Sequence, residues 1–146
     1  MSSLLLTWLP CKQTVSLLQT FPLWKEERLY VDYLDAVPGN AGLYPGGVEE
    51  LVRREDVLGN VTVHNRLHFV LYRLTPGQQD NRENSAWLLQ LQNWVQQQSA
   101  SGLAPCFGDD PKQERICAQR GKLQAATHTG TGKYAVTITA DYAKHY

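Results

Sequence analysis

The sequence predicts an α+β domain in which an antiparallel or mixed β-sheet of about five strands carries two helices packed on one face. Three observations predict it. From Val61 to Leu71 the odd positions Val61, Val63, Asn65, Leu67, Phe69 and Leu71 alternate with Thr62, His64, Arg66 and His68, the period of a strand with one buried face. Trp87, Leu88, Leu91, Trp94 and Val95 then recur at helical spacing along one stripe. Near the end Tyr134, Val136, Ile138, Ala140 and Tyr142 return to the period of two.

Taken in chain order, residues 3–20 form the first helical candidate, with Leu5, Leu6, Trp8, Leu9, Val15, Leu18 and Phe21 as apolar positions. Pro10 lacks an N–H and crowds the preceding turn, so the helix kinks there or a second, shorter helix begins with Pro10 in its first turn. Pro22 closes the segment. Glu27–Leu34 reads as a strand, with Leu29, Val31 and Tyr33 on one face. Residues 37–47, VPGNAGLYPGG, read as a long Pro/Gly loop too short to link two domains. Val48–Glu55 is a weak strand that Asp56–Asn60 turns back into the strand beginning at Val61, forming a hairpin. Val70, Tyr72 and Leu74 make the second face of that long strand apolar at its end.

The second helix opens with Asp80 and Glu83 at capping-box spacing and ends at Gly102, placed for a left-handed cap. Its length is about 30 Å at 1.5 Å per residue. Leu103–Pro111 reads as a loop and Gln113–Thr127 as a strand bent near Gly121. His128–Gly132 turns the chain into a last strand, Lys133–Tyr142. No internal repeat is visible, and residues 1–146 read as one domain.

The formal charge is zero, which argues against a general nucleic-acid binder, whose basic excess would neutralise phosphates. Cys11, Cys106 and Cys117 are an odd set without paired spacing and read as free thiols in a reducing cytoplasm. The N-terminal MSSLLLTWLPC lacks a basic n-region and has too short an apolar run for a signal peptide. No stretch reaches the ~20 apolar residues of a membrane span. A soluble protein made inside the cell is expected, with Asn60-Val61-Thr62 a chance sequon.

Candidate chemistry is thin. His64 and His68 share a strand face, but four residues at ~3.3 Å separate them by about 13 Å, too far for one metal ion. Thr129–Lys133, TGTGK, lacks the first glycine of G-x-x-x-x-G-K-S/T, has Tyr134 after the lysine, and joins two strands, so it reads as a hairpin turn. Asp109-Asp110, Glu49-Glu50 and Glu55-Asp56 have no neighbours that would complete an acid/base or hard-metal site. Ser85, Ser99 and Ser101 lie on the second helix outside any G-x-S-x-G. Nothing beyond their presence pairs Cys106 or Cys117 with His128. No catalytic, cofactor-binding or metal-ligating residue is therefore assigned. Trp87 and Trp94, seven apart, suit core packing or the anchoring of a subunit interface. The 37–47 loop, with Tyr44 among its glycines and prolines, suits either closure or a reaching arm.

Several stretches are shared with a recognisable group. VDYL at 31–34, the Pro/Gly loop, V-x-x-L-V-R-R-E-D-V-L-G at 48–59 and HFVLYR at 68–73 come first. A helix opening with Asp80, Asn81 and Asn84 and containing WVQQQ at 94–98 follows, then GLAP at 102–105 and ERICAQRGKLQAATHTGTGKYAVTITADY at 114–142. In this order the chain resembles the tailed-phage minor capsid and tail-completion proteins of the tail terminator type. The features are topological and contain no catalytic signature, and residues 10–26, with Pro10, are longer than the family pattern.

The resemblance implies a non-enzymatic virion protein of the tail or neck, assembled in the host cytoplasm. It implies a six-subunit ring that caps the head-proximal end of the tail tube, stops its polymerisation and faces the head–tail connector. Partners would be further copies of the chain, the tail tube protein, the connector or neck protein and, where one exists, the tail sheath. Neither a membrane nor a specific nucleic acid is among them. Ring closure needs head-to-tail contacts. Pro38, Gly39, Asn40, Leu43, Tyr44 and Pro45, together with an exposed sheet edge, are the expected contact residues. Deletion of residues 39–46 is expected to leave a folded monomer that no longer forms rings. The rival readings are a head-side connector or adaptor subunit, a small cytoplasmic enzyme or ligand-binding domain, and a nucleic-acid binder.

Overall fold

The computed structural model describes residues 3–24, 28–31, 34, 40–75, 81–126 and 132–146. The chain runs α1 (Ser3–Gln19), β1 (Leu29–Val31), β2 (Ala41–Glu55), β3 (Val61–Thr75), α2 (Asn81–Ala100), a 3₁₀ turn (Pro111–Gln113), β4 (Arg115–Ala126) and β5 (Gly132–His145). The strands form one mixed sheet in the order β1-β2-β3-β5-β4. β1 is parallel to β2, and the other neighbours are antiparallel. This is the α+β class with five strands and two helices that the patterning predicts.

β3 and β5 are the middle of the sheet, and their period of two decides its sidedness. Leu67, Phe69 and Leu71 lie opposite Ala140, Ile138 and Val136, and all six are buried on the helix-bearing face. Ile116 and Ala118 of β4 and Leu43 of β2 extend that face. Leu88, Leu91 and Val95 of α2 and Leu18 of α1 join the same core. Each fully buried Leu or Phe of this kind contributes about 1.5–3 kcal/mol relative to exposure.

The segment that follows α1 meets α2 through aromatic rings. Phe21 stands edge-on to Trp87 at 5.6 Å and lies 5.3 Å from Trp94, and Trp24 is 5.6 Å from Trp87. The Trp87 indole N–H donates to the Leu23 carbonyl at 3.3 Å, and the Arg73 guanidinium lies 4.0 Å above its ring. Of the two roles open to Trp87 and Trp94, these contacts assign core packing.

α1 runs through Pro10 without ending. Thr14, fully buried, satisfies its hydroxyl on the Pro10 carbonyl at 2.9 Å. α2 ends as expected: Gly102 takes φ +75°, the Leu103 N–H reaches the Gln98 carbonyl at 2.9 Å, and the Gly102 N–H reaches Ser99 at 3.2 Å. That pair of bonds is the Schellman arrangement. Asp80, the expected cap at the other end, lies outside the described residues.

Other expectations change. The Pro/Gly stretch is not a loop over its second half, because Ala41–Gly47 belong to β2 and pair with β3 from Arg73 to His68. Glycine and proline disfavour strands in isolation, yet here β3 supplies a ladder along one side, broken only by a bulge at Gly46, and Pro45 is tolerated on an edge strand. The first strand is described only over Leu29–Val31, and Leu34 is not in it. Gln113 lies in the 3₁₀ turn, so β4 begins at Arg115. The bend at Gly121 is a bulge between Gln119 and Lys122, with Arg120 at φ +59°. A Cβ on Gly121 would come within 2.9 Å of Gln92 Nε2 and 3.2 Å of Leu88 Cβ, so the missing side chain lets α2 approach β4.

Candidate self-association surface

The two edges of the sheet are treated differently. α2 shields β4: Ser99 Oγ accepts from the Ile116 N–H at 3.1 Å and Gln92 Oε1 from the Gly121 N–H at 3.3 Å. Edge groups that would otherwise seek another strand are partly satisfied within the fold. At the opposite edge β1 pairs with β2 only from Ala41 to Leu43. From Pro45 to Asn60 every residue is exposed. The outer half of the β2–β3 hairpin is thus an arm projecting beyond the core, and among the described residues no strand covers its β2 edge.

The arm exposes large apolar side chains among its charged ones. Val48, Leu51, Val52, Val57 and Leu58 are large exposed hydrophobes, and at the tip Val57 and Leu58 are 101% and 83% accessible. The tip is nevertheless well ordered by Asp56. Its Oδ1 accepts the Leu58 and Asn60 N–H groups at 2.9 Å each, and its Oδ2 accepts from Asn60 Nδ2 at 3.0 Å. Gly59 at φ +86° completes the turn, a conformation glycine adopts at no steric cost. The Asn60 side chain, followed by its backbone N–H, holds the Asp56 carboxyl below the usual aspartate range.

The face of the sheet opposite the helices is polar but internally paired. Arg66 forms a two-pronged bridge to Asp141 at 2.8 and 3.1 Å, and this partner raises the guanidinium above its ordinary pKa. His68 Nε2 lies 2.9 Å from Glu49 Oε2. Arg66, Asp141 and His68 line a depression of about 620 Å³ with Cys117, Thr137 and Thr139, and it extends past β4 to Gln96 and Ser99 of α2. His64 lies on the same face but pairs in register with Val52 and Ala143, two positions from the Arg66–Glu49 pair and four from His68.

The remaining candidates take structural roles. Asp110 accepts the Lys112 N–H at 3.1 Å to cap the 3₁₀ turn, and Asp109 Oδ2 accepts the His145 N–H at 2.8 Å. Ser99 is the edge cap described above. The three cysteines form no disulfide: Cys11 is buried, Cys106 exposed and Cys117 half-buried. Burial, with Glu114 next to it, pushes the Cys106 thiol up. His128 and residues 129–131 lie outside the described residues, as does any Cys–His pairing that would involve them. Among the described residues no group of three or more His, Cys, Asp or Glu is placed to hold a metal ion, and no helix is long and apolar enough to cross a membrane.

Of the expected contact residues, Pro38 and Gly39 lie outside the described residues. Asn40 is 8% accessible and Leu43 is fully buried, so Leu43 belongs to the core and presents nothing to a neighbour. Tyr44 stacks edge-on against Tyr72 at 5.3 Å on the polar face, and Pro45 is exposed on the edge of β2. The surface missed by the sequence reading is Val48–Leu58. Its one signal was the pair Val57-Leu58 inside a turn, where apolar side chains have no core to enter. No protein-family model matches this sequence, and no curated protein matches it either.

Proposed function

We propose that this chain is a non-enzymatic structural subunit of a tailed phage or phage-like particle. Copies of it form a ring at the head-proximal end of the tail tube, end tube growth and join the tail to the head connector. Two things support the reading: the sequence resemblance to tail terminator proteins, and the exposed arm, which is the observation that carries it. A subunit whose work is contact with its own copies needs exposed contact surface, and the projecting arm, with Val57 and Leu58 accessible at its tip, offers it. In a head-to-tail ring the tip, Val57 and Leu58, reaches a second, different surface of the next subunit.

The test is to polymerise the tube protein of the same particle in the presence of this chain. Tubes should stop growing and show a ring at one end in negative stain. Val57→Asp with Leu58→Asp should keep the fold and lose the capping. Tubes that grow without limit beside the wild-type chain rule the reading out.

A further inference from the structure

The β2 edge from Val48 to Glu55 reads VEELVRRE, with Glu49 and Glu50 on one side of an apolar centre, Arg53 and Arg54 on the other, and Glu55 beyond them. In a regular strand Glu49 and Arg54, five apart, would point to opposite faces. Here they do not, because Leu51 is an extra residue: Glu50 lies opposite Asn65 and Val52 opposite His64 on β3. With that bulge, Glu49 (opposite Arg66), Val52 (opposite His64) and Arg54 (opposite Thr62) share the open face. Glu50 (opposite Asn65) and Arg53 (opposite Val63) share the helix-bearing face, and their 2.7 Å ion pair within the strand accords with it.

We propose that two copies of this chain pair through this edge, antiparallel, about a two-fold axis at Val52. Val52 then lies opposite Val52 of the second copy, Glu50 opposite Arg53 and Glu49 opposite Arg54, each charge pair occurring twice by symmetry. The two sheets continue into one, with open faces on the same side. Main-chain hydrogen bonds supply the attraction, and the side-chain pairs supply the register.

The competing registers are repulsive. Sliding by two positions one way sets Glu50 opposite Glu50, and the other way sets Arg53 opposite Arg53. Parallel pairing in register sets Glu49 on Glu49 and Arg54 on Arg54. The ladder has natural limits: Pro45 has no N–H to give, Gly46 sits in a second bulge, and the Asp56 turn ends the strand at the other side. Leu51 and Val52, 37% and 43% accessible in the single chain, cover one another at the axis. The pairing does not rest on the tail reading, since it concerns the free protein and uses the strand edge where the ring uses the tip.

Light scattering over a broad concentration series should give the wild-type chain twice its 16.5 kDa mass. Glu49→Arg with Glu50→Arg, and separately Arg53→Glu with Arg54→Glu, should each halve that mass while leaving the circular dichroism unchanged. Mixing the two variants should restore the doubled mass, and so should the fourfold exchange in one chain, which is self-complementary again. Val52→Cys should form an intermolecular disulfide under mild oxidation well beyond the wild-type background, a readout that needs no charge reversal. A wild-type chain that stays at monomer mass overturns the proposal. So does a mass of any order that the double reversals leave unchanged, a fourfold exchange that stays monomeric, or Val52→Cys chains that do not cross-link.

Discussion

Asp56 shows how much one side chain decides at the tip of the arm. Two backbone N–H groups and the Asn60 amide converge on its carboxylate, and all three favour the ionised form. Its folded pKa is lowered, so the order it imposes is fully present above the ordinary aspartate value and is lost as pH falls through the lower, folded value. The Leu58 and Asn60 amide resonances should therefore stay fixed through the ordinary carboxylate range and move only below it. A titration centred on the ordinary aspartate value would show that the turn does not depend on these bonds. Glu114 is a second such residue: Oε1 takes the Gly108 N–H at 2.7 Å, and Oε2 is buried without a partner among the described residues. It braces the loop that carries Phe107 onto Tyr142.

At the scale of the element, β2 is two devices in one strand. Its root, Ala41–Leu43, lies between β1 and β3 and is fully buried, whereas its outer half, from Pro45, is exposed. Deletion of residues 39–46, expected from the sequence to leave a folded monomer that forms no rings, should instead remove the root of β2 and unfold the domain. Loss of Leu43 alone is worth about 2–5 kcal/mol, against a total stability of roughly 5–15 kcal/mol for a domain, and Ala41 and the ladder go with it. The deletion should abolish the cooperative thermal transition, while the Val57→Asp, Leu58→Asp chain keeps it. A sharp transition in the deletion chain would mean that the root of β2 is dispensable. The same contrast separates α2 from the arm: Gly121 lets the helix close over β4, and Ser99 and Gln92 occupy edge groups there.

For the whole molecule, the consequence is an asymmetric sheet with one edge shielded by its own helix and the other, among the described residues, uncovered beyond Leu43. An open edge of this length invites pairing, and charge is one of the means by which proteins restrict it to a chosen partner. If Glu49–Arg54 and Glu50–Arg53 set the register between two copies, the pairing should weaken with salt, since the screening length falls from about 10 Å at 0.1 M to about 3 Å at 1 M. The doubled mass should decline along that series, and the fourfold-exchanged chain should decline in parallel. A dimer that tightens with salt would point to apolar contacts alone. Closing the edge in this way also leaves the tip free for the contacts proposed for the ring.

Much of the fold was legible in the sequence because it rests on local chemistry. Alternation marked β3 and β5, helical spacing marked the buried stripe of α2, Gly102 marked its end, and Asp56–Asn60 marked the hairpin. Each of these signals is a steric or hydrogen-bonding requirement met within a few residues. What only the tertiary structure decided depends on neighbours distant in sequence. Whether Ala41–Gly47 is loop or strand turned on the ladder offered by β3, and the role of Trp87 and Trp94 on the arrival of Phe21. The charges of VEELVRRE were plain to read, but the face each one occupies follows from a single bulge at Leu51, which exists only because β3 lies opposite and sets the count.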